Sequence, residues 1–177
     1  LENQKGNAEN YFATTAATTT AGVEHMRTFM SSTINNLFKD TPNINETDLK
    51  TFKDKTDKLN HTITDKIIQK QKEAELNKES NPEAYQANLE ERTHLARAYD
   101  KMVMSMAMLA KDLPFKETNE LVNNLNNIFT DSKLEPTKLE AEVTNTIASF
   151  IQSNPKVQDL FKQIIKEKDG RREDILS

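Results

Sequence analysis

Three stretches of the chain repeat core-type residues at alternating steps of three and four. The first is Phe12, Ala16, Thr19, Val23, Met26, Met30, Thr33 and Leu37. The second is Leu49, Phe52, Thr56, Leu59 and Ile63, after which it fades. The third is Tyr85, Leu89, Arg92, Leu95, Tyr99, Met102, Met106, Leu109 and Leu113. A step averaging 3.5 residues keeps one stripe of a helix turned toward its partners. Each stretch therefore predicts a long helix in a left-handed, coiled-coil-like packing.

The breaks between stretches are written in prolines. Glycine occurs only at Gly6, Gly22 and Gly170, so the chain has few points of backbone freedom and most of it is expected to be helix. Asn81-Pro82 and Asn154-Pro155 each read as an N-cap followed by proline at the first helical position, where the missing N–H has no intrahelical partner. The segment 39–45, with Pro42 and two asparagines, ends one helix and caps the next; Pro114 ends the third long helix and Pro136 opens the fifth. Helices are expected over 8–39, 46–79, 82–112, 117–131, 136–152 and 155–169. The first three have about 30 residues each, or roughly 45 Å of length.

The expected fold is all-α: an antiparallel bundle of three long helices over 1–113, with a smaller helical subdomain over 114–177 packed at one end, the two forming one continuous domain. Bulky residues come late in the first and third helices and early in the second. Antiparallel folding gathers them at one end and leaves the other thin, polar and easily frayed. Met104 and Met108 lie opposite the bundle face of the third helix. The short helices, through Leu121, Leu125, Ile128, Phe129, Val143, Ile147, Phe150, Ile151, Leu160, Phe161 and Ile164, are expected to pack over them. The other reading of the methionine cluster at Met102, Met104, Met106 and Met108 is an exposed, adaptable groove for a partner helix, with Met104 and Met108 as its contact residues.

The 28 acidic and 24 basic residues leave a net charge of −4, which argues against a nucleic-acid binder. There is no cysteine, hence no disulfide and no thiolate nucleophile or metal ligand. His25, His61 and His94 lie on three different helices without metal-ligand spacing, and they read as solvated or boundary residues. Phosphate-loop, dinucleotide and nucleophile-elbow motifs are absent, and the carboxylates alternate with lysines along solvated helix faces. No enzyme, cofactor or metal is expected. The matches at Asn45 and Asn60 to the glycosylation sequon read as a helix start and a helix interior. The Ala/Thr tract 13–22 reads as helix with small side chains, in which Gly22 permits a bend or a close contact.

The expected function is a non-catalytic protein–protein interaction module with Met104 and Met108 as contact residues. Its alternative is a scaffold that self-associates through the thin end or lies on a membrane through the lysines 66, 70 and 78, and a third reading is an enzyme with a motif-free site. The longest nearly apolar run, Met102 to Ala110, falls far short of the ~20 residues of a membrane span. No signal-peptide pattern is present, and a chain beginning at Leu1 reads as a fragment or processed form. The charge-dense tail 166–177 ends in Ile175-Leu176-Ser177 and resembles, in general character, the C-terminal signals of bacterial secretion substrates. A secreted effector, virulence or surface protein of a host-associated bacterium is the setting this implies.

Overall fold

A computed structural model describes residues 15–160 apart from 42 and 132, together with 162, 163 and 166. Among these residues every regular element is a helix. They are α1 (Thr20–Leu37), α2 (Glu46–Asn77), α3 (Pro82–Ala110), α4 (Phe115–Thr130) and α5 (Pro136–Ser153), followed by helical backbone over 155–160. The caps are those written in the sequence. The Asn45 side chain accepts from the N–H groups of Thr47 (2.8 Å) and Asp48 (3.3 Å), and Asn81 accepts from Ala84 (3.2 Å) with Pro82 behind it. Asn154 accepts from the N–H of Lys156 at 3.2 Å. Asn43, between α1 and α2, has φ 72°, a left-handed conformation that asparagine tolerates better than most residues.

The first helix departs from expectation. Helical backbone at 15–16 gives way to a turn over 17–19, and α1 starts afresh at Thr20 with Thr19 as its extended N-cap. The threonines cause the break by bonding locally. Thr18 Oγ1 donates to the Thr15 carbonyl at 2.7 Å, and Thr19 Oγ1 accepts from Gly22 N–H at 2.9 Å. The close contact expected of Gly22 is present: a β-carbon there would lie 1.9 Å from the Ala16 carbonyl oxygen. The expected start over 8–14 and Phe12 lie outside the described residues, as do Phe161, Ile164, Gly170 and the tail 167–177.

The stripes are recognisable but drift. On α1 the buried positions are Val23, Met26, Met30 and Ile34, continued past the helix by Phe38, while Thr33 and Leu37 are half-buried and Thr19 is exposed. A straight helix turns about 20° per heptad away from a strict 3.5 repeat, a fraction of the ~100° between successive residues, so the drift along any one helix is gradual. On α2 the stripe continues beyond Ile63 through Ile67 to Ala74. On α3 it follows Leu95, Tyr99, Met102, Met106 and Leu109, broadened by the buried Ala96, Ala98, Val103 and Ala110.

Contacts between neighbouring helices run in opposite chain directions. Arg27 of α1 meets Thr64 and Asp65 of α2, and Phe38 meets Phe52. Between α2 and α3, Asn60 meets Tyr99, Lys70 meets Glu91 (2.6 Å) and Asn77 meets Asn88 (3.2 Å). The half of this hairpin nearer its turn is held by polar groups. Glu73 accepts from Asn88 (3.1 Å), Lys70 bridges Glu73 and Glu91, Arg92 donates to Gln71, and Leu76 is 80 % exposed.

Helices α4 and α5 join the bulky half. Lys55 of α2 donates to Asn123 (2.6 Å) and Lys66 to the Phe129 carbonyl (3.0 Å). Leu121, Leu125, Phe129, Val143, Phe150 and Val157 are buried in one cluster with the cores of α1 to α3, and Ile128, Ile147, Ile151 and Leu160 pack against it. At the junction Phe38, Phe52 and Phe115 form a three-ring group, each pair edge-to-face with centroids 5.3 to 5.5 Å apart. The expectation that these helices cover Met104 and Met108 fails, since each of the two is 41 % exposed. Lys101 marks the flank along which α5 lies, reaching Glu140 (3.0 Å) and Thr144 (3.2 Å). On that flank Ala98 is small and fully buried. The face with the two methionines is turned farther out and also carries Arg97 and Lys111, which favour water.

Candidate functional site

Met104 and Met108 stand one turn apart on α3, and the structure brings them together on one exposed strip. At 100° per residue, Arg97, Lys101, Met104, Met108 and Lys111 fall within an arc of roughly 80°. All five are exposed. Lys101 is engaged by Glu140, whereas Arg97 and Lys111 form no ion pair among the described residues. The strip is thus an apolar pair between two free cations on a chain whose net charge is −4. The sequence reading found the methionines and missed their basic neighbours. The signal was available, because the same helical arithmetic that sets Met104 apart from the core groups it with Arg97 and Lys111.

The other exposed large apolar residues among those described are Phe29, 48 % exposed on α1, and Leu76 near the hairpin turn. Neither has a second exposed large apolar residue one turn away. No helix of the described residues is long and apolar enough to cross a membrane.

A second surface feature runs between α1 and α2. An open groove of about 440 Å³ is lined by Arg27, Thr28, Ser31, Ser32, Asn35, Asn36, Asp57, Asn60 and His61. It adjoins a smaller notch of about 210 Å³ floored by Met30 and Ile34. Serines and asparagines on α1 are too short to fill the space between the helices, which leaves it open. His61 Nε2 lies 3.7 Å from Asp57 Oδ1 with both side chains largely exposed, His25 is exposed, and His94 is half-buried. The three histidines remain apart, and no group of three or more acidic, histidine or cysteine side chains among the described residues is arranged to hold a metal ion.

Beneath the groove lies a buried polar network that the sequence reading did not anticipate. The Tyr99 hydroxyl lies 2.8 Å from Asn60 Oδ1 and 3.0 Å from the Met26 carbonyl. Asn60 Nδ2 donates to the Arg27 carbonyl (3.0 Å), Thr64 Oγ1 donates to the Asn60 carbonyl (2.7 Å), and Arg27 Nε donates to Thr64 Oγ1 (2.6 Å). Burial, reinforced by the Asp100 carboxylate and opposed by Arg27, pushes the Tyr99 hydroxyl well above the ordinary phenolic range. This network joins α1, α2 and α3 with its donors and acceptors paired, which is structural chemistry. Asn60, buried within it, presents no side chain for glycosylation in the folded state.

No protein-family model, curated protein sequence or solved structure matches the chain.

Proposed function

We propose that the chain is a non-catalytic, helical protein-binding module whose contact surface is the Met104–Met108 strip of α3. The architecture that goes with this reading is an antiparallel bundle of α1, α2 and α3, with the smaller helical unit that begins at 114 seated against its bulky half through α4 and α5. The opposed contact order along α1, α2 and α3 and the Phe38–Phe52–Phe115 junction support it. The observation that carries the functional reading is the exposure of both methionines beside a helix that buries its neighbours Ala98, Met102 and Met106. Methionine is unbranched and polarizable, and it adapts to the shape of a partner's apolar side chains. Paired one turn apart, the two offer the i, i+4 footprint that a partner helix reads.

The test is affinity capture with the intact chain and with M104E/M108E, followed by quantitative mass spectrometry. Both sites are exposed, so the double variant is expected to keep the wild-type circular dichroism spectrum and melting temperature. A partner is expected to be depleted at least tenfold on the variant. Equal recovery of every captured protein by the two baits would sink the reading.

A further inference from the structure

We infer that the partner of the Met104–Met108 strip is an amphipathic helix whose two apolar anchors are bracketed by acidic residues; this rests on the protein-binding reading above. Arg97 lies two turns before Met104 and Lys111 one turn after Met108, both on the methionine face and both exposed. Neither has a carboxylate partner among the described residues, while the neighbouring Lys101 is already matched by Glu140 at 3.0 Å. From Arg97 to Lys111 the strip is about 21 Å long, the span of roughly 14 residues of a partner helix. A helix laid along it buries two apolar residues against the methionines. It meets one uncompensated cation at each end of that contact, and carboxylates there are matched whereas lysines are repelled.

The same charges disfavour a second copy of the chain as the occupant. A two-fold axis that set the methionines of two copies against each other, Met104 on Met108, would place Lys101 opposite Lys111 at both ends. An anionic bilayer fits the charges less well than a helix does. Two half-exposed methionines offer little apolar depth for insertion, and Glu90 on the same exposed strip and Glu140 beside Lys101 would face the headgroups.

The experiment presents the full chain with a displayed library of 16-residue helical peptides. Each carries two leucines one turn apart, and the flanking positions are varied among Glu, Gln and Lys. Enrichment of Glu at both flanks is expected. A selected peptide made synthetically should bind about fivefold more weakly to R97Q/K111Q, the effect of losing two solvent-exposed ion pairs. On R97E/K111E the library preference should invert to Lys. Selection of peptides without charge preference, with binding still lost on M104S/M108S, would overturn this inference and leave the protein-binding reading standing. Selection that persists on M104S/M108S, or no selection at all, would overturn both. Concentration-dependent dimers in sedimentation velocity that vanish in M104E/M108E would also overturn it, in favour of self-association. So would sedimentation with phosphatidylserine vesicles that is lost in R97Q/K111Q, in favour of a membrane.

Discussion

Tyr99 and Gly22 show how much of this fold hangs on single atoms. The Tyr99 hydroxyl satisfies Asn60 at the point where α1, α2 and α3 meet. Tyr99→Phe keeps the ring and leaves a buried amide oxygen without its donor, so a loss of about 1–3 kcal/mol is expected in urea titrations near neutral pH. The same residue sets an alkaline limit. Its folded-state pKa lies above its unfolded value near 10, so its contribution is complete below pH 10 and is lost as the pH rises through the raised value. Stability of the wild type measured from pH 8 to 11.5 should fall above pH 10, with a shallower fall in Tyr99→Phe. Identical slopes would show that the ionisation of Tyr99 is not the cause. At Gly22 the sign of the effect is diagnostic. Alanine in an ordinary helix interior stabilises by about 0.5–1 kcal/mol relative to glycine. Here its β-carbon would strike the Ala16 backbone, and Gly22→Ala is expected to cost about 1–3 kcal/mol in chemical denaturation.

Among the elements, the α2–α3 hairpin divides into two halves of different character. From Phe52 to Ile67 and from Leu95 to Leu109 it is held by apolar burial, and from Lys70 to Arg92 by charged and amide side chains. Ion pairs that are partly open to water weaken with salt, whereas buried leucines and methionines do not. Amide hydrogen exchange should therefore be fastest around residues 74–90 and slowest in 56–67 and 95–109, with the contrast growing as salt is raised. Uniform protection along α2 would contradict the division. Hydrogen bonding to Glu91, opposed by burial, raises the pKa of Lys70 above its usual 10.5, so this contact too is lost only at strongly alkaline pH. Sequence spacing located the two halves, because bulky residues cluster in one and not in the other. It could not show the polar pairs that close the turn-side half, since each joins residues 11 to 21 positions apart in the chain.

At the scale of the whole molecule, the three phenylalanines bridge the two expected parts of the chain. Phe115 stands just past the boundary expected at 113/114, and its ring packs on Phe38 and Phe52 from the far side of that boundary. A core that runs without interruption from Ala17 to Val157 predicts coincident urea transitions by circular dichroism and by a probe placed on α5. Phe52→Ala, which empties the centre of the junction, should lower stability by about 3–5 kcal/mol. Two separated transitions in the wild type would show instead that the smaller helical unit folds alone.

The local sequence by itself determined the helices, because a cap, a proline and a 3.5-residue step act within a few residues of one another. Asn45, Asn81 and Asn154 bond where their positions require, and Leu95, Tyr99, Met102 and Met106 are buried as their spacing demands. It failed in one place where local side-chain bonds compete with the helix and in another where distant groups decide. The Ala/Thr tract reads as helix, yet it breaks at Thr18 and Thr19, which bond locally while the Ala16 carbonyl comes close against Gly22. The outer face of α3 was legible as a face and not as a surface. Which flank α5 would choose depended on where Glu140 and Thr144 arrive to meet Lys101. Tertiary packing made that choice, and it left Met104 and Met108 in water between Arg97 and Lys111. Helical periodicity states which residues share a side of a helix, and only the arrival of the other helices decides which side stays open.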